Sequence, residues 1–325
     1  MQNADALIAD SPSSEASVDL LARARELAGA GKFSAAEALL ARLAPDAAAR
    51  PEVLQLRGMI GCCLGNFERA AQWARAAIAL RPGSAELHYL LGRALAGTGN
   101  PDAAASAYTD ALRFNPDYAN ALVSLGVVHR QREQLREAVD CFRRAVLKAP
   151  AMAEAYYNLG DVLLRLEHAD AAAEALRAAV ELAPALAEAW LRLGAALDAA
   201  GKASEATACY QRVSAQKPQL ADALYSEGAE RMRSGDLAGA YQQLRAAALI
   251  KPERAGVLVE LGEAFRTAGK KQAALDAFAT AAEAAPSLAE AHNGLAVAQR
   301  DLGRFRDAEA NFERALALEP RAART

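Results

Sequence analysis

The residues able to do chemistry are few and scattered. Four histidines, His88, His129, His168 and His292, form no HxxxH or HExxH spacing, so no local zinc pattern arises. Four cysteines, Cys62, Cys63, Cys141 and Cys209, include no CxxC pair and read as reduced thiols in small packing slots. No G-x-S-x-G elbow and no G-x-x-x-x-G-K-[ST] phosphate loop occurs. The expectation is a protein that is not an enzyme, with no cofactor and no metal site. What remains is recognition chemistry. Tyr89, Tyr157 and Tyr225 recur at a step of 68 residues, and tyrosine brings a rigid apolar face with one polar tip to an interface. Arg93, Arg130, Asn158, Asp161, Arg165, Arg192 and Arg233 are donors and acceptors that could hold an extended backbone beside those rings.

Composition limits the scaffold that must position these groups. Of 325 residues, 53% are hydrophobic but only 6% aromatic, so alanine and leucine carry the apolar content and close helix packing is favoured over strands. The net charge of −3 offers no basic excess for nucleic acid or an anionic membrane. No apolar run is long enough to span a bilayer, and the first residues lack the basic start and apolar core of a signal peptide. A cytoplasmic location is the expectation.

The prolines give the organisation. Pro82, Pro116, Pro150, Pro184, Pro218, Pro252, Pro286 and Pro320 each follow the last by 34 residues, a repeat signature. With proline at position 32, units begin at residues 17, 51, 85, 119, 153, 187, 221, 255 and 289. Position 20 is alanine in all nine, and position 8 is glycine in seven. Positions 4, 7, 8 and 11 share one helical face, as in Leu122, Leu125, Gly126 and His129. Positions 20, 24 and 27 do the same for a second helix, as in Ala138, Phe142 and Ala145. Small residues at 8, 20 and 27 let the backbones approach, and large ones at 4, 7 and 24 fill the space around them. Glycine at 15, replaced by Glu133 and Glu167 in two units, suits a left-handed helix end. Proline at 32 stops the second helix.

This pattern resembles the tetratricopeptide repeat, and "AEAYYNLGDVLLRL" carries it as it stands. The resemblance covers residues 17–322 and implies an all-α, right-handed solenoid whose concave groove is lined mainly by the first helix of each repeat. Residues 1–16 read as a disordered tail and 323–325 as a C-terminal tail. The resemblance also implies a non-enzymatic scaffold that binds a peptide or protein partner in the groove, and the charge balance adds the expectation of neither nucleic acid nor membrane as partner. The alternatives are a regulatory or substrate-presenting region of a glycosyltransferase- or sulfotransferase-like enzyme, and a self-assembling structural protein. The family's carboxylate clamp needs lysine at position 5 and asparagines at 6 and 9. No repeat has that lysine, and only Asn158 stands at position 6, so the clamp is not expected.

Three departures stand out. Repeat 2 reads "RGMIGCCLG", placing Arg57 and Gly61 in apolar slots, and a soft helix is expected there. Repeat 7 places Glu227 and Arg231 at positions 7 and 11, one helical turn apart, as a local ion pair or a hinge in the array. Leu316 and Leu318 in the last helix have no obvious cover and suggest self-association.

Overall fold

The computed structural model describes residues 14–319, and each 34-residue unit in it is built on a pair of helices, with a short third one in repeat 1. Repeat 1 holds α1 (Ser14–Gly29), α2 (Phe33–Leu40) and a short α3 (Pro45–Ala48). Repeats 2 to 5 hold α4 (Pro51–Cys63) with α5 (Phe67–Leu80), α6 (Ala85–Gly97) with α7 (Pro101–Phe114), α8 (Ala119–Gln131) with α9 (Leu135–Lys148), and α10 (Ala153–Arg165) with α11 (Ala169–Leu182). Repeats 6 to 9 hold α12 (Ala187–Ala199) with α13 (Ala203–Gln216), α14 (Leu220–Arg233) with α15 (Leu237–Ile250), α16 (Gly256–Thr267) with α17 (Lys271–Ala284), and α18 (Ala289–Asp301) with α19 (Phe305–Leu318). There is no strand among the described residues. The tail expected over 1–16 lies outside them up to residue 13, as do Pro320 and the tail 323–325. The chain divides between Val162 and Leu163, inside α10, into two units, each a solenoidal stack of helix pairs.

The turn inside each pair depends on one backbone angle. Position 15 has positive φ in all nine repeats. Gly99 does this at +74° without a Cβ penalty, whereas Glu133 and Glu167 adopt the same conformation at +58° and +61°. The geometry of the hairpin therefore overrides the residue type.

Glycine at position 8 answers to a ring at position 24. A Cβ on Gly126 would lie 2.7 Å from the Phe142 ring, and one on Gly194 would lie 2.6 Å from the Tyr210 ring. The two helices approach until an aromatic edge rests on bare backbone, and Phe142 and Tyr210 are almost wholly buried. Position 4 joins one repeat to the next. Trp190 Nε1 donates to the Pro184 carbonyl (2.9 Å), and ring nitrogens of His88 and His292 bond the Pro82 and Pro286 carbonyls at 2.9 and 3.0 Å. The proline that ends one repeat leaves carbonyls without helical partners, and the ring six residues on satisfies one of them. His88 and His292 thus serve the interface between repeats. Cys62, Cys141 and Cys209 are buried free thiols, but Cys63 is exposed rather than packed.

Within each unit the second helix of a repeat normally packs on the first helix of the next: α5 on α6, α7 on α8, α11 on α12, α17 on α18. Repeat 7 breaks this rule. There α13 packs on α15 instead, and α14 packs closely on α15 alone. Only Ala221 and Gly228 of α14 are buried, while α15 buries eight residues from Ala240 to Ile250. Glu227 and Arg231 form the expected ion pair at 3.0 Å on the exposed side of α14. A charged pair in the slots that normally seat leucine is cheaper in water than in a core, so the second helix takes the central place. With α15 sunk between them, α13 and α17 come together: Thr207 Oγ1 lies 3.3 Å from Glu283 Oε1 across 76 residues of sequence.

Candidate functional site

In the N-terminal unit the first helices carry two clefts on the face bearing positions 5, 6, 9 and 13. One, of about 510 Å3, is lined by Val123, Ser124, Val127 and Gln131 of α8, with Tyr108, Pro101 and Glu154 at its edges. The other, of about 430 Å3, lies between α1 and α4 and is mainly apolar, with Phe33, Leu56, Met59 and Cys63 in its wall. Both clefts lie on first helices, the helices that the family resemblance implies line a groove, although most of their lining residues were not singled out. Val123 and Val127 read as ordinary apolar residues in the sequence.

The named candidates have unlike surroundings. Tyr89 is half-buried in an aromatic cluster, its ring centroid 5.0 Å from Tyr118 and 5.8 Å from Tyr108. Burial pushes the Tyr108 hydroxyl up to about 12, and a hydrogen bond with Ser124 opposes that shift only in part. Arg93 is half-buried beside this cluster. Tyr157 is also half-buried, on the same helix as Asn158 and Asp161. Those two are buried and already engaged. Arg130 Nη1 donates to Asn158 Oδ1 (3.1 Å) and Asp161 Oδ2 (3.0 Å), and Asn158 Nδ2 donates to the Glu154 carbonyl (2.9 Å). This network ties α8 to α10 and uses the donors and acceptors that an incoming backbone would need.

In the C-terminal unit Arg165, Arg192 and Arg233 are exposed. Tyr225 lies on the displaced α14, with the Arg254 guanidinium 4.5 Å from its ring centre. Asp222, one turn earlier, is held by Lys251 (2.7 Å) and Arg254 (3.0 Å), which pull its carboxyl below the usual range. The acids at position 2 have the same kind of internal partner elsewhere: Glu52 pairs with Arg81 and Glu188 with Lys217. The C-terminal unit also holds a polar cluster that the sequence reading missed. Arg245, only 7% exposed, donates to both carboxylate oxygens of Asp198, and the Tyr210 hydroxyl donates to Asp198 Oδ2 at 2.8 Å. Burial pushes the Asp198 carboxyl up against the opposing pull of Arg245.

Among the described residues no group of histidine, cysteine or acid could hold a metal, and no helix is long and apolar enough to cross a membrane. The tetratricopeptide-repeat family model matches residues 89–146, 125–187, 157–221 and 225–289, and a second model of that family matches 289–321. The chain is a tetratricopeptide-repeat protein. Among solved structures it is similar to MamA, with 22% identity over 51% of this chain and 91% of that one, at a TM-score of 0.47. It is also similar to YrrB, described as a TPR protein with an unusual peptide-binding site, with 28% identity over 56% of this chain and 94% of that one, at a TM-score of 0.46. The Desulfovibrio magneticus MamA is 24% identical over 50% of this chain and 92% of that one, at a TM-score of 0.46. No curated protein matches the chain in sequence.

Proposed function

We propose that this tetratricopeptide-repeat protein is a non-enzymatic scaffold that binds an extended peptide segment of a partner protein on its first-helix face. The observation that carries the reading is the 510 Å3 cleft on α8, open to solvent and walled by valines with Ser124, Gln131 and Glu154 beside them. Apolar walls supply affinity, and a few polar groups fix the direction of a bound chain. Tyr89 and Tyr157 flank this surface in the neighbouring repeats and serve as its anchors. The description of YrrB as peptide-binding is consistent with this use of the fold. Val127→Arg fills the cleft at a half-buried position. Affinity capture should return a partner with the wild-type protein that Val127→Arg loses at unchanged helicity. A partner held equally by both would place binding elsewhere.

A second reading, self-association, is favoured by one position. Leu316 is 47% exposed, whereas its equivalents Leu112, Val180 and Ala282 are covered at 9%, 4% and 9%. Leu318 does not contribute: its equivalents Leu80 and Leu182 are exposed at 56% and 43% within the array. Light scattering over a concentration series should show an oligomer that Leu316→Glu reduces to monomer and Leu318→Glu leaves intact. A monomer at every concentration would remove the reading.

A further inference from the structure

Seven described arginines besides Arg93 are buried or only partly exposed, and each has an acceptor. Arg57 donates to the Leu40 carbonyl (2.7 Å), and Arg130 is held by Asn158 and Asp161. Arg132 pairs with Asp102, Arg177 with Glu205, Arg231 with Glu227, Arg245 with Asp198 and Arg254 with Asp222. Arg93 is half-buried on α6, and among the described residues no hydrogen bond or ion pair engages it. A guanidinium has five N–H donors, and none of those of Arg93 is sealed from water, so they are open to an incoming acceptor.

Its neighbours are suited to a ligand. Tyr89 lies one turn before it on the same helix face, with the Tyr118 and Tyr108 rings tilted against that ring. The charge of Arg93 bears on the Tyr108 and Tyr118 phenols. Among the described residues the hydroxyls of Tyr89 and Tyr118 make no hydrogen bond, so two further donors stand beside the guanidinium. The acid nearest in register, Glu86, accepts from the Ser84 hydroxyl at 2.8 Å instead of pairing with Arg93. The equivalents of Arg93 in the other tyrosine-bearing repeats are Asp161 and Ala229, so the arrangement occurs once.

We propose that Arg93, framed by Tyr89 and Tyr118, holds a carboxylate or phosphate group carried by the peptide that binds this face. The planar fork of arginine matches either oxyanion with two parallel hydrogen bonds, and the tyrosine rings cover the rest of the side chain. The inference rests on the peptide-binding reading above and adds the chemistry of one contact.

The test uses the full chain and four end-capped peptides that differ only at the central residue: glutamate, glutamine, lysine or phosphoserine. A fifth peptide has glutamine at the centre and a free C-terminal carboxylate. Wild-type protein should bind at least one anionic peptide at least tenfold more tightly than the capped glutamine peptide, and the lysine peptide most weakly. Preference for glutamate, phosphoserine or the free terminus identifies the source of the anion. Arg93→Met should abolish the preference while the glutamine peptide binds as before, and Arg93→Lys should restore part of it. Should Arg93→Met fail to fold, Arg93→Gln takes its place. Equal binding of charged and neutral peptides, or a preference that survives loss of the guanidinium, overturns the anion contact alone. If none of the five peptides binds, the peptide-binding reading falls and the contact falls with it.

Discussion

Repeats 4 and 7 are written in one register and differ at two decisive positions. In α8, Leu125 and His129 occupy positions 7 and 11, and the helix buries Leu122, Val123, Leu125 and Val128. In α14, Glu227 and Arg231 take those places, and only Ala221 and Gly228 are buried. The covered surface has moved to the second helix, α15, where Arg245 reaches Asp198 of α12, 47 residues back in the chain. Position 25, occupied by Arg245, is an exposed arginine in repeat 4, Arg143. Two polar residues on one helix therefore exchange the roles of a pair, and the exchange converts an ordinary surface arginine into a buried one.

Moving the charge tests which residues set the difference. Leu125→Glu puts an unpaired carboxylate into the regular repeat and should cost about 3–5 kcal/mol, read by chemical denaturation. A loss below about 1 kcal/mol would mean that α8 can be displaced as α14 is, without penalty. Arg245→Met removes one partner of the buried pair and should destabilise by about 3 kcal/mol, with a lower melting temperature. An unchanged melt would show that α15 holds its central place by packing alone.

Smaller effects sharpen the contrast between groove and core. Tyr157→Ala should weaken the partner about tenfold, or 1.4 kcal/mol, at little change in melting, while Tyr156→Ala at position 4 should lower the melt and spare binding. Early melting of Tyr157→Ala with binding intact would move position 5 into the core. Glu167→Gly should raise stability by at most about 1 kcal/mol, because it relieves a left-handed glutamate; the same change at a position with negative φ should destabilise. The smallest effect is a pH dependence at α14. Asp222 has a lowered folded-state pKa, so its tie to Lys251 and Arg254 contributes fully above the unfolded value of about 3.9 and is lost as pH falls through the folded one. Amide exchange along α14 should accelerate over that acidic range before exchange along α8 does.

The fold was legible because a period of 34 residues repeats its own evidence nine times. Position 20 alanine, position 8 glycine and the closing proline each have one geometric meaning. The candidate site was legible only as a face. That Tyr89, Tyr157 and Tyr225 would have three different environments was not read, because their neighbours stand at the variable last position of the same repeat: Tyr118 closes repeat 3, which holds Tyr89, and Arg254 closes repeat 7, which holds Tyr225. The Arg130 network could have been found. Position 12 of one repeat meets positions 6 and 9 of the next, and Arg130, Asn158 and Asp161 are a matched set at those slots. The Arg245–Asp198 pair could not, since it exists only because α14 gives up its place.

An array in which each repeat touches only its neighbours behaves as a chain of springs in series and comes apart one link at a time. The contact of Thr207 with Glu283 spans a link, because it joins repeats 6 and 8 over the buried α15. Under a stretching load applied to the C-terminal unit, repeats 6, 7 and 8 should therefore yield as one block, in a single long extension step, after repeat 9 has already let go.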